Sequence, residues 1–194
     1  LAMYHGIGQI NIESGAELDR IAALATSNNF KCSIALRVNV DVDPGSHEKI
    51  STGQNTTKFG IALTDGQAES YYERISSHPN LTPSGLAVHI GSQLENLIPF
   101  ETTYNELVRF AGHLRGNGFD VPCLDLGGGV GIDYEGNTHP DFTEYGKMVE
   151  RVFKNKGYKL GFEPGRCIVG NCGNLISKVI YVKQGIDKRF IIID

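Results

Sequence analysis

The sequence predicts an α/β fold: a parallel sheet with helices packed outside it, giving way to antiparallel β structure after about residue 175. Three observations carry that prediction. Short runs rich in β-formers alternate with longer segments of helical period. The runs are apolar nearly end to end, as strands covered on both faces must be. After Val169 the helical segments stop, and two strand-like runs follow, joined by a short polar turn.

The elements follow in order. Gln9 to Ser14 reads as a strand ending in a cap, because Ser14 and Glu17 form a capping box for a helix over Ala16 to Ser27. That helix places Leu18, Ile21, Ala22 and Ala25 on one face. Cys32 to Val40 is the next strand, and Asp41 to Thr57 a long polar loop of the kind that often carries function. Ala68 to Ser76 is a helix, Gly85 to Ile90 a strand, Phe100 to Asn117 a helix and Cys123 to Leu126 a strand. Thr143 to Lys156 is helical, opened by Thr143 or Asp141, and Lys159 to Phe162 is a strand. Leu175 to Gln184 and Arg189 to Ile193 are the two final strands. No internal repeat is visible.

Composition narrows the function. The chain has 194 residues with 18 Lys+Arg against 22 Asp+Glu, a net charge of -4. It has no basic run, which argues against a nucleic-acid or anionic-membrane surface. No apolar stretch approaches the roughly 20 residues of a membrane helix, and no secretion signal precedes the first elements. The cysteines, Cys32, Cys123, Cys167 and Cys172, are irregularly spaced and read as free thiols of a reduced, cytoplasmic protein. Cys167 and Cys172 lack a second pair or a nearby His to complete a zinc set, so no metal is expected. Position 1 is Leu and the last residues end in a strand, so the sequence reads as a piece of a longer protein.

The 24 glycines exceed the usual ~7% share, and many sit where apolar runs end. Strand ends are where a (β/α) barrel keeps its functional groups. Here they carry Arg37, His89, Ser92, Gly127 to Gly129, Glu163 and Arg166. Asp125 to Gly131 runs from a strand into consecutive glycines, which let a backbone approach an anion closely. Because Asp133 to Asn137 continues as loop, a dinucleotide fingerprint is disfavoured; a tight turn without a ligand is the plain alternative. In Ala87 to Gln93 an imidazole ends a buried strand with a hydroxyl three residues on, suited to stacking on a ring and donating to a phosphate; a packed core histidine is the alternative. His5, His47, His78, His113 and His139 suggest nothing specific. In Leu160 to Arg166 a carboxylate and a guanidinium flank a Pro-Gly turn. They form either an internal Glu163–Arg166 ion pair or two contacts to a ligand, Glu163 to a protonated ring nitrogen and Arg166 to an anionic group.

Taken together, Ile10 to Ser14, Leu36 to Asn39, Thr52-Gly53 with Lys58-Phe59-Gly60, His89 to Gln93, Leu124 to Ile132 and Glu163 to Arg166 resemble the diaminopimelate decarboxylase family. These are pyridoxal-phosphate enzymes of the alanine-racemase-like barrel fold, related to ornithine and arginine decarboxylases. The resemblance covers almost the whole chain. It implies that residues 1–174 are the C-terminal part of a pyridoxal-phosphate-binding (β/α)8 barrel and 175–194 the start of a C-terminal β domain. It implies that His89 stacks on the cofactor ring, that Ser92, the Gly128 and Gly129 amides and the Gly165-Arg166 backbone hold its phosphate, and that Pro164 also lies in the cofactor site. Glu163 would bind the pyridine nitrogen, Arg166 also a substrate carboxylate, and Arg37 would support the site from behind. His89 and Glu163 would be the catalytic residues. The implied reaction is decarboxylation of meso-2,6-diaminopimelate to L-lysine by a homodimer with its sites at the interface. Ornithine or arginine decarboxylation, or a non-catalytic phosphate-ligand-binding barrel, are the alternatives. The family's Schiff-base lysine lies upstream of the segment matching Gln9 to Ser14 and has no counterpart here; Lys58 belongs to a different element.

Overall fold

A computed structural model describes residues 1–42, 59–134 and 141–194. The predicted loop beyond residue 42 and the Thr52 to Lys58 motif therefore lie outside the described residues, as do residues 135–140. The parallel strands are β1 (Ile10–Ile12), β2 (Cys32–Asn39), β3 (Ile61–Ala62), β4 (Leu81–Ala87), β5 (Cys123–Asp125) and β6 (Lys159–Gly161). Between them run helices α1 (Gly15–Ser27), α2 (Gln67–Ser77), α3 (Ile98–Gly116) and α4 (Phe142–Phe153). A short helix, α5 (Arg166–Val169), and a 3-10 turn over Gly170–Cys172 follow. The antiparallel pair β7 (Val179–Gln184) and β8 (Arg189–Ile193) forms a separate two-stranded sheet.

Strand order distinguishes the two common parallel architectures. The path runs β1-β2-β4-β5-β6, with β3 pairing to the end of β2, so neighbours in sequence are neighbours in the sheet. A doubly wound sheet reverses its order midway, where helices change face. The unreversed order here is that of a barrel, with every right-handed crossover helix on one side. The core fills the space between: Ile34, Leu36, Leu86 and Leu124 from the strands meet Leu18, Tyr72, Leu107 and Leu114 from the helices. Among the described residues, no helix is long and apolar enough to cross a membrane.

Local chemistry sets the ends. The Ser14 side chain accepts from the Glu17 amide at 3.2 Å, and Glu17 reaches back to the Glu13 amide at 2.8 Å. The capping box is thus shifted by one residue, and it pins Glu13 at the end of β1. Asp141, rather than Thr143, caps α4 by accepting from the Thr143 amide at 2.7 Å. Helix α3 begins two residues earlier than the periodicity predicts, because the Asn96 side chain caps the Ile98 amide and Pro99 preorganises the first turn.

Strand β4 differs most from expectation. It starts at Leu81 rather than Gly85 and ends at Ala87. Pro83 lies inside it, which a central strand tolerates only at a bulge. The ladder with β2 slips there: Ile34 faces Pro83, Ala35 faces Gly85, and Ser84 is left over. Next to the bulge, Gly85 has φ 141°, and a Cβ on it would lie 1.8 Å from the Cys123 carbonyl oxygen. The final strand pair also starts later than predicted, at Val179 instead of Leu175.

Candidate functional site

The site lies where β1, β2, β4, β5 and β6 end. Backbone pairing continues past three of those ends. Val88 N–H donates to Asp125 C=O at 2.9 Å, Leu126 N–H to Gly161 C=O at 2.9 Å and Glu163 N–H to Gly127 C=O at 2.8 Å. The segments carrying His89, the glycine triplet and Glu163 are therefore held side by side by the sheet's own hydrogen bonds.

That close lacing explains why the triplet is glycine. A Cβ on Gly127 would lie 2.2 Å from the Val88 carbonyl oxygen, one on Gly128 2.2 Å from that of Glu163, and one on Gly129 2.3 Å from that of Gly91. All three oxygens belong to neighbouring backbone and cannot swing aside. The glycines are required by strand packing, whatever else their amides hold. Gly165 contrasts with them, since nothing lies within 4 Å of a Cβ there.

His89 is half-buried and joined to the glycine loop: the Gly128 amide donates to its Nδ1 at 3.4 Å. An accepting Nδ1 leaves the proton of a neutral ring on Nε2. Burial, and next the Arg37 charge, pull the imidazole below its ordinary pKa, while Asp125 and Glu13 act in the opposite direction. A flat neutral ring is suited to stacking, as the sequence predicts for it.

Arg37 is paired to Glu13, with Nη1 to Oε1 at 2.5 Å. The β1–β2 register that sets Ile12 opposite Leu36 brings these two side by side. The other Glu13 oxygen accepts from the Gly60 amide at 3.1 Å, and Phe59 lies under the Arg37 guanidinium at 5.2 Å. Buried Asn39 completes this corner, donating to the Phe59 carbonyl at 3.1 Å.

No Glu163–Arg166 ion pair forms among the described residues, so that simpler account of the Pro-Gly turn is set aside. Glu163 instead faces Asp125. Its carboxyl is held above the ordinary carboxylate range, first by partial burial, then by the charge of Asp125 and a hydrogen bond with it; Arg37 pulls the other way. Because Glu163 is exposed as a residue, water screens part of this. Arg166 instead meets the loops after β4 and β5, with Nη1 3.5 Å from Gln93 Oε1 and 3.4 Å from the Tyr134 hydroxyl. It opens α5, a short helix for which no element is predicted.

The structure thus brings His89, Gly128 and Glu163 directly together. Gly129 packs on Gly91, beside half-buried Ser92. Pro164, Gly165 and Arg166 are exposed at the rim. Asp125 and Glu13 were missed as site residues, although Asp125 obeys the strand-end rule that found the others. An apolar cavity of about 180 Å³, lined among others by Phe142, Tyr145, Phe162 and Cys167, lies on the glycine loop. Its surface is almost wholly apolar, which does not suit an anion.

The donor set fits pyridoxal phosphate. A half-buried imidazole stands at one strand end. At another, the Asp125–Glu163 carboxyl pair adjoins a guanidinium already paired to Glu13, and a protonated ring nitrogen would balance it. Backbone amides of the glycine loop and the cationic Arg166 flank the rim.

Comparison with known proteins agrees. Residues 1–170 match the family model described as pyridoxal-dependent decarboxylase, pyridoxal binding domain. The diaminopimelate decarboxylase of Zymomonas mobilis is 45% identical over 195 residues, covering 100% of this chain and 46% of that protein. That of Neisseria meningitidis serogroup A is 40% identical over 193 residues, covering 100% and 47%. Among solved structures, diaminopimelate decarboxylase from Helicobacter pylori complexed with L-lysine superposes with a TM-score of 0.90 at 33% identity, covering 100% of this chain and 48% of that one. The chain spans about half the length of the curated relatives it matches. Its strand order, the composition of its strand ends and the match over residues 1–170 lead to one conclusion: the chain belongs to the pyridoxal-dependent decarboxylases and carries pyridoxal-binding-domain sequence of that family.

Proposed function

We propose that the full-length protein decarboxylates meso-2,6-diaminopimelate to L-lysine. The observation that carries this reading is the meeting of His89, the glycine loop and Glu163 at three adjacent strand ends. The substrate assignment is supported by relatives named diaminopimelate decarboxylase at up to 45% identity. Bound here, pyridoxal phosphate supplies an electron sink for the charge left on carbon when carbon dioxide departs.

The chain's own residues prepare that chemistry. His89, neutral and held through Nδ1, offers a ring face without adding a positive charge. The Glu163 carboxylate would accept a hydrogen bond from the protonated pyridine nitrogen, whose positive charge would favour the ionised form that Asp125 disfavours. Ser92, the Gly129 amide and the Gly165–Arg166 backbone would hold the phosphate, with Pro164 and Gly128, whose own amide is given to His89, beside it, and Arg166 would also meet a substrate carboxylate. Arg37, fixed by Glu13, keeps the field around His89 and Glu163 in place.

The reading includes a homodimer with its sites at the interface. Four free cysteines fit a reduced, cytoplasmic setting. We assign residues 1–174 to the barrel and 175–194 to a second domain, supported by the family match ending at 170 and by the separate β7–β8 sheet. The test is product analysis with the full-length holoenzyme given meso-diaminopimelate, ornithine or arginine. Release of carbon dioxide and L-lysine from the first alone is expected. Preference for either of the others, or no turnover, overturns the assignment.

A further inference from the structure

We propose that Gln93 is a positioning residue whose side-chain amide locks the loop after β5 to the loop after β4 and sets the Arg166 guanidinium toward the substrate. Its amide makes both bonds that a neighbouring peptide would make. Oε1 accepts from the Ile132 N–H at 3.1 Å, while Nε2 donates to the Ile132 carbonyl. One residue on, the backbone does the same: Leu94 N–H donates to Gly129 C=O at 3.0 Å, and Gly131 N–H to Leu94 C=O at 3.0 Å. Leu94 and Val130 form a parallel bridge there. The Gln93 side chain thus extends a two-residue ladder by one more rung.

Two further observations indicate that this rung is built rather than incidental. Gln93 has φ 60°, in the left-handed region that side-chain-bearing residues seldom occupy unless their surroundings fix them there. The two loops also approach so closely that a Cβ on Gly131 would lie 3.2 Å from the Leu94 carbonyl oxygen and 3.3 Å from Gln93 C. Ile132, the residue gripped, is buried.

The same Oε1 that holds Ile132 lies 3.5 Å from Arg166 Nη1, and Tyr134, two residues beyond Ile132, presents its hydroxyl to that nitrogen at 3.4 Å. Nη1 of the guanidinium is thereby committed to the loop pair, leaving its other nitrogens to meet an anion. The ladder is independent of what the enzyme acts on; the role of Arg166 toward substrate rests on the function proposed above.

The test uses the full-length enzyme with Gln93→Met, which keeps the side chain's length and removes its amide. In the cofactor-free protein the Ile132 amide should exchange about tenfold faster, while the backbone-bonded amides of Leu94 and Gly131 keep their protection. In the holoenzyme KM for meso-diaminopimelate should rise about tenfold with kcat within about threefold of wild type. Unchanged Ile132 exchange overturns the ladder. Faster exchange with an unchanged KM overturns the link to Arg166. If the wild-type enzyme does not decarboxylate diaminopimelate, the proposed substrate fails, and the exchange measurement decides the ladder alone.

Discussion

The amide of Gly128 donates to Nδ1 of His89 across 3.4 Å, tying the glycine loop to the imidazole on the neighbouring strand. The contact is possible because Gly128 has no side chain: its Cβ position lies 2.2 Å from the Glu163 carbonyl oxygen. Gly128→Ala in the full-length protein should therefore cost about 1–3 kcal/mol by overpacking, measured by chemical denaturation. Gly165→Ala, where space is open, should change stability by less than ~0.5 kcal/mol yet weaken retention of pyridoxal phosphate. Equal stabilities for the two variants would contradict the separation drawn between packing glycines and a cofactor glycine.

Arg37 and Glu13 form a half-buried pair that also accepts the Gly60 amide. Arg37→Met should destabilise the protein by about 1–3 kcal/mol, because the carboxylate loses its charged partner. A double-mutant cycle with Glu13→Gln should return a coupling of about 1 kcal/mol. Additivity of the two single variants would show that the pair contributes nothing.

His89 gives the fold a pH dependence. Its folded-state pKa lies below the usual 6.5, because burial and Arg37 disfavour the imidazolium. The unfolded chain then binds more protons in the window beneath that value, so stability is present above pH 6.5 and lost as pH falls through the window. His89→Gln should flatten that part of the stability profile. An identical acid-side slope in wild type and variant would remove His89 as its source.

Much of this was legible beforehand, for reasons that vary by element. Helices α1 and α4 announced themselves through Ser14, Glu17 and Asp141, side chains whose capping chemistry is local. The first half of strand β4, before the predicted start at Gly85, did not, because Pro83 looks like a strand breaker until the Ser84 bulge absorbs it. Strand β3 has only two residues and shows no period. His89, Glu163 and the glycines stood out as polar or bare positions ending apolar runs. Glu13 could not, since its partner is fixed by the Ile12–Leu36 register, which no single segment encodes. Asp125 sat in plain view, one residue inside its run, where the glycines beside it were the stronger signal.

The central claim is that Glu163 serves the ring nitrogen of the cofactor, with Asp125 at its side. The most direct measurement is turnover of meso-diaminopimelate by full-length Glu163→Gln, alongside its pyridoxal-phosphate content. Turnover should fall about 100-fold or more, with cofactor content near that of wild type. Turnover close to wild type with cofactor bound would contradict the account.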